Sequence, residues 1–207
     1  MDLPDPQAFA DAMLAVASRL PQGGGYRFTP ASREAESAHN PRDPHHDGVS
    51  RSLSHDGEVF ARAADDGVTY CCGVTLEAFW TAWTRWCVEH DQAPLPADAD
   101  PADLVSLWFC PTMGHAGAAD AIVKLGIGFA VDPSEARPGD LCQFWRSVDL
   151  ARPSGHSVLF LGWGARSGKR TIRYWSSQPA TQGIGEHEEE VGPQWSFAFA
   201  RVGQRSS

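Results

Sequence analysis

Residues 69–83 read TYCCGVTLEAFWTAW. Two adjacent cysteines open a segment whose apolar positions recur at helical spacing. Cys72, Leu76, Phe79, Trp83, Trp86 and His90 follow one another at steps of four, three, four, three and four. Such steps trace a single stripe on a helix over residues 71–90, facing a core. Cys71 lies about 100° off that stripe, in line with Thr75, Ala78, Ala82, Arg85 and Glu89. The pattern makes Cys72 a small core residue and puts Cys71 at the helix start on a less apolar face. A helix start offers unpaired N–H groups and a partial positive charge, both of which favour a thiolate. Two merely packed cysteines fit the stretch as well, so it leaves both readings open.

The wider composition narrows the choice. The chain has 207 residues, of which 42% are hydrophobic and eight are tryptophan, enough for one ordinary domain with a sizeable core. Its net charge is −9 with no long basic run, which argues against nucleic acid and anionic membranes as partners. No apolar stretch approaches the roughly 20 residues that span a bilayer. The N-terminus lacks a basic segment followed by an apolar one. With no secretory signal visible, the sequence by itself points to the cytoplasm; a secreted or periplasmic protein would carry its leader outside these residues. The five cysteines are odd in number and irregularly spaced, and none form C-x-x-C. A disulfide framework, a zinc knuckle and a thioredoxin-type pair are therefore all unsupported, and a vicinal 71–72 disulfide would be strained.

Helical signals come first along the chain. Residues 5–20 are amphipathic, with Asp5 as cap and Pro6 in the first turn. Residues 29–57 are polar, punctuated by proline and rich in histidine, which predicts an irregular arm or a lid. A helix is expected from Asp100-Pro101 to about Cys110, and a third over 116–125, closed by Gly126. Strand-like runs then follow at 141–145, 156–163, 171–177 and 194–202. Helices followed by antiparallel strands predict a single α+β domain over 1–207, with residues 1–28 an N-terminal helix and 58–207 the core.

A nucleophilic cysteine needs a base. His39, His45, His46 and His55 sit in the arm at spacings that match no metal motif, so no metal site is expected there. His90 continues the core stripe, His115 lies in a turn, and His187 lies in GEHEEE, read as a solvated acidic loop. His156 stands apart. It follows a glycine and opens the apolar strand HSVLFLGW (156–163), where it can project over a helix start.

YCCGV at the helix start, then ARPGDLCQFWR (136–146) and GHSVLFLGW (155–163), together resemble the papain-like cysteine hydrolases of bacterial cell-wall type. The likeness is to the NlpC-type peptidases and the CHAP amidases, and it covers roughly residues 65–180. Aligned with the family's D-C-S-G, the nucleophile is Cys71; Pro138-Gly139-Asp140-Leu141 matches the turn before the next strand, and His156 matches the base. The chain departs from the pattern at Tyr70, where the family has Asp, and at Cys72, where it has Ser. A helical insertion around 91–125 lengthens the interval from Cys71 to His156.

The resemblance implies a papain-like fold, with the nucleophile helix packed on a C-terminal antiparallel sheet, and a third polar residue orienting the imidazole. A hairpin of 156–163 with 171–177, turned near Ser167, brings Ser176, Ser177 and Gln178 within reach of His156. Gln178 is the preferred partner because its carboxamide oxygen accepts the imidazole N–H. Tyr70 and Ser177, flanking the pair, are expected to contact substrate, and the Cys71 amide to meet the oxyanion. The implied activity is a cysteine peptidase or amidase working through a thioester, on a peptidoglycan stem peptide or a related small amide, without a cofactor. Alternatives on the same scaffold are an acyltransferase and a non-catalytic binding domain.

Overall fold

A computed structural model describes residues 2–28, 46–96, 99–109, 117–147 and 154–205. Among them the elements run α1 (Pro6–Ala17), β1 (Gly23–Gly24), β2 (Leu53–His55), β3 (Glu58–Ala61), α2 (Cys71–Glu89), α3 (Pro101–Trp108), α4 (Ala118–Lys124), β4 (Gly128–Val131), β5 (Leu141–Trp145), β6 (Gly155–Arg166), β7 (Lys169–Gln178), β8 (Gly183–Glu190) and β9 (Ser196–Val202). The fold is α+β. Seven strands form one antiparallel sheet in the order β1-β8-β7-β6-β5-β9-β4, and β2 and β3 form a separate hairpin.

Local chemistry accounts for many of the boundaries. The Asp5 carboxylate accepts from the Ala8 amide at 2.9 Å and the Asp100 carboxylate from the Ala102 amide at 2.8 Å, each just before a proline-led helix. Gly126, at φ +67°, closes α4. Ser167 and Gly168, both at positive φ, make the two-residue turn of the β6–β7 hairpin.

The sheet is buried on both faces. Leu141, Leu159, Trp175, Ile184 and Ala200 face the helices, where they share a core with Phe9 and Met13 of α1 and with Leu76, Phe79 and Trp83 of α2. Cys142, Phe144, Val158, Phe160, Tyr174 and Phe199 form a second cluster on the other face. Phe144 stacks on Trp195, and the Arg170 guanidinium lies 3.7 Å over the Trp163 ring.

Several elements differ from the sequence reading. GEHEEE is part of strand β8, not a solvated loop. Its glutamates are held by the neighbouring strand and by the end of β5: Lys169 pairs with Glu190 at 2.6 Å, the Thr171 hydroxyl donates to Glu188 at 2.7 Å, and Arg146 pairs with Glu189 at 2.6 Å. Cross-strand partners override the low strand propensity of glutamate. The hairpin at 53–61 and strand β4 were not expected either. Residues 29–45 of the arm, Cys110 and His115 lie outside the described residues. The end of the arm is a tight strap, in which His46 is fully buried and its ring lies against Tyr70.

Candidate active site

Helix α2 begins without a side-chain cap, because Tyr70 at the cap position offers no short acceptor. The first intrahelical bond runs from the Val74 amide to the Tyr70 carbonyl. The amides of Cys71, Cys72 and Gly73 therefore have no partner within the helix. The strap makes room for this start. The Gly48 carbonyl accepts from the Tyr70 amide at 3.2 Å, and a Cβ on Gly73 would stand 2.2 Å from the Asp47 carbonyl oxygen. Glu77, one and a half turns along, is buried and fastens the strap. It accepts from the Ser50 amide at 2.7 Å and the Ser50 hydroxyl at 2.9 Å, and pairs with Arg51 at 3.2 Å.

Thr75 pins the same turn to its surroundings. Its hydroxyl donates to the Cys71 and Cys72 carbonyls, at 3.1 and 3.0 Å, and accepts from the Trp108 indole at 3.1 Å. It also lies 3.2 Å from the Ser157 hydroxyl of β6. The helix start is thereby fixed against the strand that carries His156.

Strand register sets out the other half of the site. His156 pairs with Phe144 of β5. On β7, Trp175 pairs with Leu159, and continuing that register carries Gln178 opposite His156. The Gln178 carboxamide oxygen lies 3.3 Å from His156 Nε2. Its amide nitrogen donates to the Thr181 hydroxyl at 2.6 Å and the Gly185 carbonyl at 3.2 Å. With both N–H groups engaged, the oxygen is the atom that faces the ring, so His156 Nε2 is the donor and Nδ1 the free nitrogen. The Phe144 and Tyr174 rings meet the imidazole edge-on, at 5.5 and 5.3 Å, and restrict its rotation.

The His156 imidazole and the Ser157 amide both favour charge on the Cys71 sulfur. The Cys71 thiol is held well below its ordinary range. A hydrogen bond from Cys72 contributes most and His156 next, and together they outweigh the burial that opposes ionisation. Burial pushes the thiols of Cys87 and Cys142 up instead, Cys87 to about 11. The structure thus gathers Cys71, His156 and Gln178 in one site, with His156 against Gln178 and acting electrostatically on Cys71.

Helical faces do not distinguish the two cysteines. Cys71 and Cys72 are 6% and 7% exposed, and off-stripe Thr75, Glu77, Ala78 and Ala82 are buried too. The sheet, α1, α3 and the strap surround this half of the helix, so no face remains less apolar. His90, expected in the core, is exposed and stacks on Trp86 at 4.4 Å. Tyr70 and Ser177, expected to contact substrate, have no exposed surface. The Tyr70 hydroxyl donates to the His46 carbonyl at 3.3 Å, and the Ser177 hydroxyl lies 2.7 Å from that of Thr69. They hold the walls of the site and present no surface to a ligand.

Tyr26 was not foreseen. The segment after β1 runs beside Thr69, with the Arg27 amide donating to the Thr69 carbonyl at 3.1 Å, and this sets the half-buried Tyr26 near both thiols. Burial, and then the neighbouring sulfurs, raise its phenol, so it stays protonated and able to donate. The local sequence, YRF after three glycines, carries no signal for this role. Behind His156, the Glu189 carboxylate accepts from Arg146 at 2.6 and 3.1 Å and from the Tyr174 hydroxyl at 2.6 Å. Burial works against its ionisation, yet these donors keep its carboxyl below the usual range.

Among the described residues, no group of three or more His, Cys, Asp or Glu side chains stands ready to hold a metal ion, and no helix is long and apolar enough to cross a membrane. Comparison with protein-family models, curated proteins and solved structures finds no significant match to this chain.

Proposed function

We propose that the protein is a cysteine hydrolase of amides with a papain-like arrangement, in which Cys71 is the nucleophile, His156 the general base and acid, and Gln178 the residue that orients the imidazole. The observation that carries this reading is the setting of His156, whose Nε2 lies 3.3 Å from the Gln178 carboxamide oxygen and whose charge favours a thiolate at Cys71. The thiolate attacks the carbonyl carbon, and the oxyanion is met by the Cys71 amide, which has no partner within the helix. The Tyr26 phenol, which stays protonated and within electrostatic range of the same sulfur, supplies a second donor. His156 Nδ1, having taken the thiol proton, gives it to the departing amine and leaves a thioester. Water, deprotonated by the same nitrogen, then attacks the thioester, releasing the acid and restoring the thiolate. The resemblance of YCCGV, PGDL and GHSVLFLG to NlpC-type peptidases and CHAP amidases makes peptidoglycan stem peptides the first substrates to try.

Stem peptides incubated with the protein should yield new amine and carboxyl ends, followed by mass spectrometry. Cys71→Ala should lower the rate about a thousandfold or more while thermal unfolding stays near that of the parent. A folded Cys71→Ala protein with undiminished turnover would remove Cys71 from the mechanism. The same measurement on His156→Ala tests the base.

A further inference from the structure

The first turn of α2 holds two sulfur atoms where one would serve a thiolate. Consecutive residues on a helix do not face one another, yet the sulfurs of Cys71 and Cys72 lie 3.9 Å apart, within reach of an S–H···S hydrogen bond. Both side chains therefore lean together. Both are buried and both are free thiols. Water cannot solvate a charge there, so a thiolate at Cys71 depends on donors from the protein. The His156 imidazole and the Ser157 amide both favour that charge, and the thiol of Cys72 lies against the sulfur itself.

We propose that Cys72 is a catalytic residue whose S–H donates to the sulfur of Cys71 whenever that sulfur carries charge, in the resting thiolate and again as the thiolate leaves the acyl group. The proposal rests on the reading of Cys71 as nucleophile. Two adjacent thiols cannot both ionise at this separation, so charge on Cys71 keeps Cys72 protonated and able to donate. A thioester sulfur is a far weaker acceptor than a thiolate. The bond is accordingly lost on acylation and regained on deacylation, where it favours departure of the sulfur. The depressed titration of Cys71, to which Cys72 contributes most, agrees with this arrangement.

The test is the pH dependence of alkylation by iodoacetamide, with the modified cysteine located by peptide mass spectrometry, in the parent, Cys72→Ala and Cys72→Ser proteins. The parent should react at Cys71 with a midpoint well below the ordinary thiol value of about 8.5. Cys72→Ala should raise that midpoint by about one pH unit, the size expected for one hydrogen bond to a charged group. Cys72→Ser, which restores a donor, should return most of the shift. If the alanine variant does not fold, Cys72→Val, similar in size and without a donor, replaces it under the same criterion. An unmoved midpoint in the alanine variant, or equal shifts in the alanine and serine variants, would reduce Cys72 to packing while leaving Cys71 as nucleophile. A parent midpoint near 8.5, or reaction at another cysteine, would overturn the nucleophile reading and this proposal together.

Discussion

The two halves of helix α2 obey different rules. From Thr84 to its end the helix has one buried side and one open one: Cys87 is buried, Arg85 and Glu89 form an exposed pair at 2.8 Å, and Val88 is 79% exposed. From Cys71 to Trp83 nearly every residue is buried, polar ones included. There the sheet lies beneath and the strap across the first turn, and Phe9 of α1 and Trp108 of α3 pack against Phe79. Each buried polar group in this half has a named partner: Thr75 with Ser157 and Trp108, Glu77 with Ser50 and Arg51. The difference teaches where the molecule holds atoms in place. Enclosure from all sides fixes the helix start, and with it the Cys71 sulfur, while the far end needs no such precision.

Substitutions along the helix should separate the halves, and the largest effect is expected at Gly73. In an exposed helix, Gly→Ala stabilises by about 1 kcal/mol. At Gly73 the added Cβ would lie 2.2 Å from strap backbone, so the strap must move and the sign reverses. Gly73→Ala should lower stability by about 3 kcal/mol in urea unfolding. A gain in stability would show that the strap does not enclose the helix start.

Glu77→Ala comes next. It leaves the Ser50 amide and hydroxyl without their acceptor and should cost about 2 kcal/mol at neutral pH. The pH dependence sharpens the test. Burial raises the Glu77 carboxyl above its ordinary 4.5 in the folded protein, against the opposing effect of its donors. The folded state then holds this proton more tightly than the unfolded state. The contribution to stability is complete below pH 4.5 and declines as pH rises through the folded value. Melting temperatures measured from pH 4.5 upward should carry this decline in the parent, and the alanine variant should lack it. Identical slopes would place Glu77 in contact with water.

The smallest effect belongs to the other half. Val88→Ala should change stability by about 0.5 kcal/mol or less, since the side chain is mostly exposed. A loss above 1 kcal/mol would mean that the exposed end is packed against something after all.

Much of the architecture is written in short-range chemistry. Asp5-Pro6 and Asp100-Pro101 start helices, Gly126 ends one, Ser167-Gly168 turns a hairpin, and β-rich runs between turn residues mark β5, β6, β7 and β9. Each of these signals acts between residues a few positions apart, so the sequence determined them by itself. The register that carries Gln178 opposite His156 does not follow from the turn alone: the pairing set by Ser167-Gly168 would bring Pro179 there, and a bulge between Phe160 and Gly162 shifts it by one residue.

Tertiary structure decided the remainder. β8 was illegible because its glutamates become strand residues only when Lys169, Thr171 and Arg146 arrive from β7 and β5. The approach of Tyr26 to the thiols depends on pairing between chain segments some 40 residues apart, through Thr69. The stripe on α2 could not separate Cys71 from Cys72 because periodicity reports one buried side, and this half of the helix is enclosed on all of them. What singles out Cys71 is the influence of His156 and the Ser157 amide on its sulfur, and both arrive only once sheet and helix have packed. Local propensities act within a turn or two of the chain. Burial and hydrogen bonding across it depend on the whole packed fold.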